Sequence, residues 1–320
     1  MTCESYPADT SRRTFLRSVA LAALAPTVVG QSIAAEVPIE HELDHLIDAH
    51  VHVWTPDVTR YPLGEGFSPE KMEPRSFTPN QLFAHCRPQG IDRVVLVQMS
   101  FYGFDNRYML DAIAAHPKVF RGIAVIDESR PGICEEMRRL AALGVRGFRL
   151  YADQRAAESW LNSPSMKTMW SCAAETGQAM CLLADPDSLP AVQKMCAQFP
   201  QTTVVVDHFA RIGMRGPATT GEIDNILRLA DFQQTFIKTS AFYALGGKQA
   251  PYLDLAPLVR RLRNAFGANR LMWASDCPFQ VQNGHTYADS IALIRDRLDF
   301  LSASDKAWML RGTAERVFYS

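Results

Sequence analysis

Charge of one sign is what the sequence lacks most. Its 33 Lys and Arg are met by 34 Asp and Glu, leaving a formal net charge of −1 on 320 residues. No basic stripe breaks that balance, which removes the electrostatic footing a nucleic-acid partner needs. C-x-x-C pairs are absent although there are seven cysteines, so neither a structural zinc site nor a thioredoxin-type motif has its ligands. Most of the cysteines stand among apolar neighbours and read as small core groups. No disulfide pairing follows from their spacing. After the N-terminal segment no apolar run approaches the roughly 20 residues of a membrane span. A G-x-G-x-x-G turn after the first strand-like run is missing as well, and with it the usual mark of a doubly wound dinucleotide-binding sheet.

These absences leave an ordinary globular composition, 47% hydrophobic and 21% charged. The length suits two average domains or one α/β barrel with insertions. The first 35 residues stand apart. Ser11-Arg12-Arg13-Thr14-Phe15-Leu16-Arg17 is a twin-arginine export pattern. The apolar run that follows, 18–29, is about half the length of a membrane span. Ser32 and Ala34 supply the small residues of a cleavage site. Residues 1–35 are therefore expected to be a signal and processing region, and 36–320 a single mature domain. The expected location is periplasmic or secreted, with no stable membrane insertion once the signal is removed.

From Leu43 onward, short β-branched runs alternate with longer amphipathic stretches. The runs are 45–54, 93–99, 121–126, 145–151, 179–184, 202–208, 235–240 and 270–275, eight in all. Most are continuously apolar, the pattern of parallel strands covered on both faces. Helical periodicity occupies 108–116, 135–143, 164–176 and 187–199 between them. Eight strand–helix units predict a (β/α)8 TIM barrel. The first connection, 55–79, holds five prolines and no periodicity. At that length it reads as a loop covering a site. It runs into Thr78-Pro79-Asn80-Gln81, an N-cap, a proline at the first helical position and a reciprocal capping Gln.

Polar residues collect where the predicted strands end. His50 and His52 are two apart in Asp48-Ala49-His50-Val51-His52-Val53-Trp54, so on an extended strand both imidazoles face one spot. Arg149 and Tyr151 share a face in the fourth run, His208 ends the sixth, and Arg211 lies just beyond it. Asp276 follows the eighth. Taken singly, each has a structural explanation: Arg149 as a clamp on a carboxylate, His208 donating to a carbonyl, Asp276 capping a turn, Arg211 on a surface loop. Lys238 alternates with Ile237 and is expected to point outward, between barrel and helices. Polar groups at the C-terminal ends of barrel strands converge on one pocket, and this set resembles a hydrolytic site.

The motifs Asp48 to Trp54, Arg146-Gly147-Phe148-Arg149, Val206-Asp207-His208-Phe209 and Trp273-Ala274-Ser275-Asp276-Cys277-Pro278-Phe279 resemble those of the amidohydrolase superfamily. The likeness is to its amidohydrolase-related branch of lactonases and non-oxidative decarboxylases, and it covers nearly the whole mature chain. The resemblance implies that His50 and His52 are metal ligands, that Asp276 activates water and also ligates, and that His208 is a second catalytic residue. It also implies that Arg149 and Arg211 hold substrate carboxylates. Many metal-dependent relatives carry a histidine at the end of strand five. Here that strand reads Met180-Cys181-Leu182-Leu183-Ala184. A zinc can work on three protein ligands, and some relatives work without metal, so one divalent ion (zinc) and metal-independent catalysis are both open.

The chemistry expected is hydrolysis of a lactone or similar cyclic ester of a small acidic molecule, with Asp276 as general base. Guanidinium forks of Arg149 and Arg211 match carboxylates. Tyr151, Tyr102 and His285 are further pocket candidates. A metal-dependent decarboxylase on the same scaffold and a non-catalytic acid-binding protein are the alternatives. The oligomeric state stays open.

Overall fold

A computed structural model describes residues 45–320; the expected signal and processing region, 1–35, lies outside the described residues. The strands are β1 (Leu46–Val51), β2 (Ile91–Val97), β3 (Phe120–Ala124), β4 (Val145–Ala152), β5 (Ala179–Ala184), β6 (Val204–Val206), β7 (Thr235–Thr239) and β8 (Leu271–Trp273). They form one eight-stranded sheet in chain order, and every neighbouring pair is parallel. Between β8 and β1 the seam is closed just beyond the strands. His52 N–H donates to Cys277 O at 2.8 Å, and Asp276 N–H to His50 O at 2.9 Å. The architecture is the expected (β/α)8 barrel. Among the described residues no helix is long and apolar enough to cross a membrane.

Helices α1 (Pro79–Cys86), α2 (Arg107–Ala115), α3 (Ile133–Ala142), α4 (Gln154–Trp160), α5 (Pro164–Thr176), α6 (Leu189–Gln198), α7 (Thr220–Leu227) and α8 (Ala256–Phe266) alternate with the strands; α9 (Tyr287–Ala292), α10 (Ala303–Ala307) and α11 (Thr313–Phe318) end the chain. α1 starts on the reciprocal Thr78 and Gln81 cap. The apolar residues divide in two. A large outer cluster joins the outward faces of the strands to the helices. A smaller one fills the barrel with Ile47, Val95, Ile123, Cys181, Val205, Phe236 and Met272, and Phe318 of α11 joins it. Of the cysteines, Cys134 on α3 and Cys172 on α5 form a disulfide, while Cys86, Cys181, Cys196 and Cys277 are free and buried.

Two local departures from plain alternation place the site. In β1, Asp48 to Val51 spans the partner residues Val94 to Leu96, so β1 carries one extra residue there. A bulge of this kind re-aims side chains and is frequent beside active sites. After β6, four consecutive non-glycine residues, His208, Phe209, Ala210 and Arg211, take φ of 54°, 53°, 55° and 58°. Left-handed backbone costs about 1–2 kcal/mol per such residue, strain that concentrates at functional sites.

The loop expected to cover the pocket is instead pinned beside β1. Trp54 and Phe77 exchange backbone hydrogen bonds of 2.9 and 3.1 Å, and the Trp54 indole donates to Pro74 O at 2.8 Å. None of residues 55–79 lines the cavity described next.

Candidate active site

A cavity of about 280 Å³ opens at the C-terminal ends of the strands. Its wall includes His52, Arg149, Tyr151, His208, Arg211, Tyr243 and Asp276. His50 lies just beneath, fully buried. The imidazole Nε2 atoms of His50 and His52 are 3.1 Å apart, and Asp276 Oδ1 is 3.5 Å from each. His52 Nδ1–H donates to Val97 O at 2.9 Å, which leaves its Nε2 lone pair facing the cavity. The edge of a tetrahedron around a small divalent ion with bonds near 2.1 Å is about 3.4 Å. The three donors therefore fit such an ion, and His50, His52 and Asp276 are the group of described residues that could hold one.

Asp276 is held in place from several sides. It has φ of 64°, and its Oδ2 accepts from the Tyr243 hydroxyl at 2.7 Å. His208 Nε2 stands 3.8 Å from the same oxygen, while His208 Nδ1 is 2.8 Å from Ser240 Oγ. Burial alone would raise the Asp276 carboxyl, but His208, His52 and His50 outweigh it and hold it below the usual carboxylate range. Burial pushes the imidazole of His208 down. Burial and then the Lys238 ammonium push that of His50 down further. The site thus holds an anionic carboxylate, the form a general base requires, beside two imidazoles, His50 and His208, whose protonated forms burial disfavours.

Asp48 keeps β8 registered against β1. Its carboxylate accepts from Ser275 N–H at 2.9 Å, His50 N–H at 3.1 Å and the Tyr287 hydroxyl at 2.7 Å. Burial pushes its pKa up to about 6 despite those bonds.

Beneath His50 lies an ionic cluster that corrects one expectation. Lys238 points into the barrel, not outward. Its side chain is fully buried, with Nζ 3.0 Å from Asp207 Oδ1 and 3.4 Å from His50 Nδ1. Ile237 is the residue that packs outward, in the helix-facing cluster. The outer face of β7 is an apolar seam against helices, and the interior offers the lysine a carboxylate. Arg149 Nη2 donates to the other oxygen of Asp207 at 2.9 Å and stands 3.2 Å from His50 Nε2. Burial would raise Asp207, yet Lys238 and Arg149 hold it well below the usual range. Arg211, on the cavity wall, is paired as well. Asp185 meets Arg211 at 2.7 Å and Arg215 at 3.2 Å. Beneath His50 two cations, Lys238 and Arg149, share the one carboxylate of Asp207, which leaves a net positive charge under the cavity.

The structure brings His52, His208, Asp276, Arg149, Tyr151 and Arg211 to one wall. Tyr151 is half-exposed at its mouth. Tyr102 and His285 are not among the lining residues: the Tyr102 oxygen accepts from Thr55 N–H at 3.3 Å, and His285 Nδ1 is 2.8 Å from the Tyr252 hydroxyl. Asp207, Lys238 and Tyr243 join the site without having been singled out for it. Asp207 had a signal, its place in the motif with His208. Tyr243 had none, because its turn beyond β7 follows from Ala241 adopting φ of 57°.

A family model described as Amidohydrolase matches residues 47–319. The chain belongs to this family. It is 26% identical over 248 residues to an L-fucono-1,5-lactonase of Burkholderia ambifaria, covering 75% of this chain and 82% of the relative. It is 29% identical over 255 residues to a 2-pyrone-4,6-dicarboxylate hydrolase of Comamonas testosteroni, covering 77% and 80%. Among solved structures, an amidohydrolase from Burkholderia multivorans with bound zinc superposes with a TM-score of 0.74 at 21% identity, over 86% of this chain and 99% of that one. This amidohydrolase therefore carries the barrel of its family, with its strand-one histidines and strand-eight aspartate converging on one cavity.

Proposed function

We propose that this amidohydrolase opens a lactone or similar cyclic ester of a small acidic molecule, using a water activated by Asp276. The observation that carries the reading is Asp276 itself, anionic, buried, and set between His50, His52, His208 and Tyr243 in a cavity whose wall also carries Arg149 and Arg211. The printed activities of the two relatives, a sugar-acid lactonase and a pyrone-dicarboxylate hydrolase, support the same class.

Arg149 and Arg211 hold the substrate's carboxylate through their guanidinium edges, and Tyr151 covers it at the mouth. The ester carbonyl then lies over His52 and Asp276. Asp276 takes a proton from water as the water oxygen bonds to the carbonyl carbon. With Ser240 donating to Nδ1, His208 carries its hydrogen on Nε2 and aims it at the developing oxyanion. A divalent ion on His50, His52 and Asp276 supplies Lewis-acid polarisation of that carbonyl when bound. We propose zinc, because two imidazoles and a carboxylate at tetrahedral spacing suit it. Location in the periplasm or outside the cell is part of the same proposal. The Arg12-Arg13 signal pattern supports it, as does the Cys134–Cys172 disulfide, since such bonds persist in oxidising compartments.

The test is a panel of acidic and neutral lactones in ¹⁸O-water with the purified, metal-analysed protein. The expected result is turnover of an acidic lactone with one ¹⁸O in the new carboxylate. Carbon dioxide release without ¹⁸O would make the protein a decarboxylase. Tight retention of acids with no turnover would make it a binding protein.

A further inference from the structure

The active-site cavity opens at the C-terminal ends of the strands. A second cavity, of about 490 Å³, lies at their N-terminal ends, on the opposite side of the barrel. Thr203, Gln233, Gln234, Asn269 and Arg270 line it from the segments that lead into β6, β7 and β8, and Arg316 lines it from α11. Arg270 is fixed by neutral acceptors. Its Nε donates to Phe266 O at 2.9 Å, and its Nη1 donates to Ala230 O and Phe232 O, each at 3.0 Å. Arg316 donates through Nη2 to Asn269 O at 2.6 Å, and its guanidinium carbon lies 5.1 Å from the centre of the Phe236 ring. No carboxylate of the described residues, that of Ser320 included, lies within 4.0 Å of either guanidinium. Burial and then the Arg316 charge push the Arg270 guanidinium down, and no acid opposes them. Two like charges therefore share one cavity with nothing to balance them, an arrangement that an anion relieves.

We propose that this cavity is an oxyanion site that takes a phosphate or a small phosphomonoester. Nη2 of Arg270 and Nε and Nη1 of Arg316 make no hydrogen bond to the described residues, and donors on a planar fork match phosphate oxygens. The carbonyls that hold Arg270 set its position before a ligand arrives, which lowers the ordering cost of binding. The side-chain amides of Gln233, Gln234 and Asn269 and the Thr203 hydroxyl add neutral donors around it. No histidine, cysteine, aspartate or glutamate lines the cavity, so the site binds its ligand and does not turn it over. It is separate from Arg149 and Arg211, which serve the other end of the barrel.

The test is titration calorimetry of the purified protein with inorganic phosphate and with glycerol 3-phosphate at constant ionic strength, with glycerol as the neutral control. Both anions should bind saturably and glycerol should not. Equal affinity for the two makes the free ion the ligand, and tighter binding of the ester assigns the amide-lined part of the cavity to its organic portion; either supports the site. Arg316→Gln should weaken binding about tenfold or more, the worth of one charge-assisted hydrogen bond. Gln234→Glu, at an exposed position, sets a carboxylate at the cavity and should weaken it as well. Arg149→Met should bind phosphate like the wild type, which separates this cavity from the active site. The Tm of the wild type should rise with the logarithm of phosphate concentration while that of Arg316→Gln stays flat, and the same scans show that each variant is folded. Undiminished binding by folded Arg316→Gln and Gln234→Glu would overturn the proposal. So would loss of binding in Arg149→Met, an equal response to sodium chloride, or no binding of either anion by the wild type.

Discussion

Replacing Lys238 with Met tests the ionic floor of the site. The ammonium is fully buried, 3.0 Å from a fully buried carboxylate, so no solvent screening discounts the pair. Lys238→Met fills the same space but leaves Asp207 with Arg149 as its remaining cation. Breaking a buried pair by deleting one partner costs about 3–5 kcal/mol, because the other charge stays buried. For a domain of this size that corresponds to a fall in Tm on the order of 10 °C. The double variant Asp207→Asn with Lys238→Met removes both charges and should be less destabilised than the sum of the single variants, with a coupling of about 0.5–3 kcal/mol. Urea denaturation of the wild type, both singles and the double gives the cycle. If Lys238→Met lies within about 1 kcal/mol of wild type, the lysine does not occupy the barrel interior, and the outward orientation suggested by alternation is right.

Arg149→Met should raise KM for an acidic lactone well beyond its effect on a neutral analogue; equal effects in steady-state kinetics would make Arg149 a clamp on Asp207 alone. Asp48 has a raised folded-state pKa of about 6, so the folded state binds its proton more tightly than the unfolded chain does. Its contribution to stability is full below about pH 4 and is lost as pH rises through 6. Tm measured from pH 4 to 7 should therefore fall more for wild type than for Asp48→Asn, and parallel curves would contradict the burial argument. Arg12→Lys with Arg13→Lys should leave precursor in the cytoplasm, read by fractionation; unchanged export would remove the twin-arginine reading.

The barrel was legible because parallel strands covered on both faces leave continuous apolar runs, and eight such runs alternate with helical periodicity. His50, His52, Arg149, His208 and Asp276 were legible because polar residues at strand ends break those runs. The rest depends on backbone that local pattern does not reveal. The bulge in β1 and the left-handed turn at His208–Arg211 decide which way side chains face, yet neither contains a glycine to announce it. Lys238 was misread because alternation says which residues share a face but not which face is inside. Only the carboxylate of Asp207, brought over from the neighbouring strand, settles that. Tyr102 looked like a pocket residue from its position after β2, but its hydroxyl meets the backbone of Thr55.

The central claim is that Asp276 activates the water that opens the ring. Its most direct test is kcat of Asp276→Asn on the acidic lactone that the wild type turns over, measured on folded protein of known metal content. Asn keeps the shape and can still accept the Tyr243 hydrogen bond, but it cannot take a proton from water. The account predicts a loss of about 10²–10⁴-fold or more at matched metal occupancy. Turnover within a few-fold of wild type by a folded, metal-matched variant would contradict it.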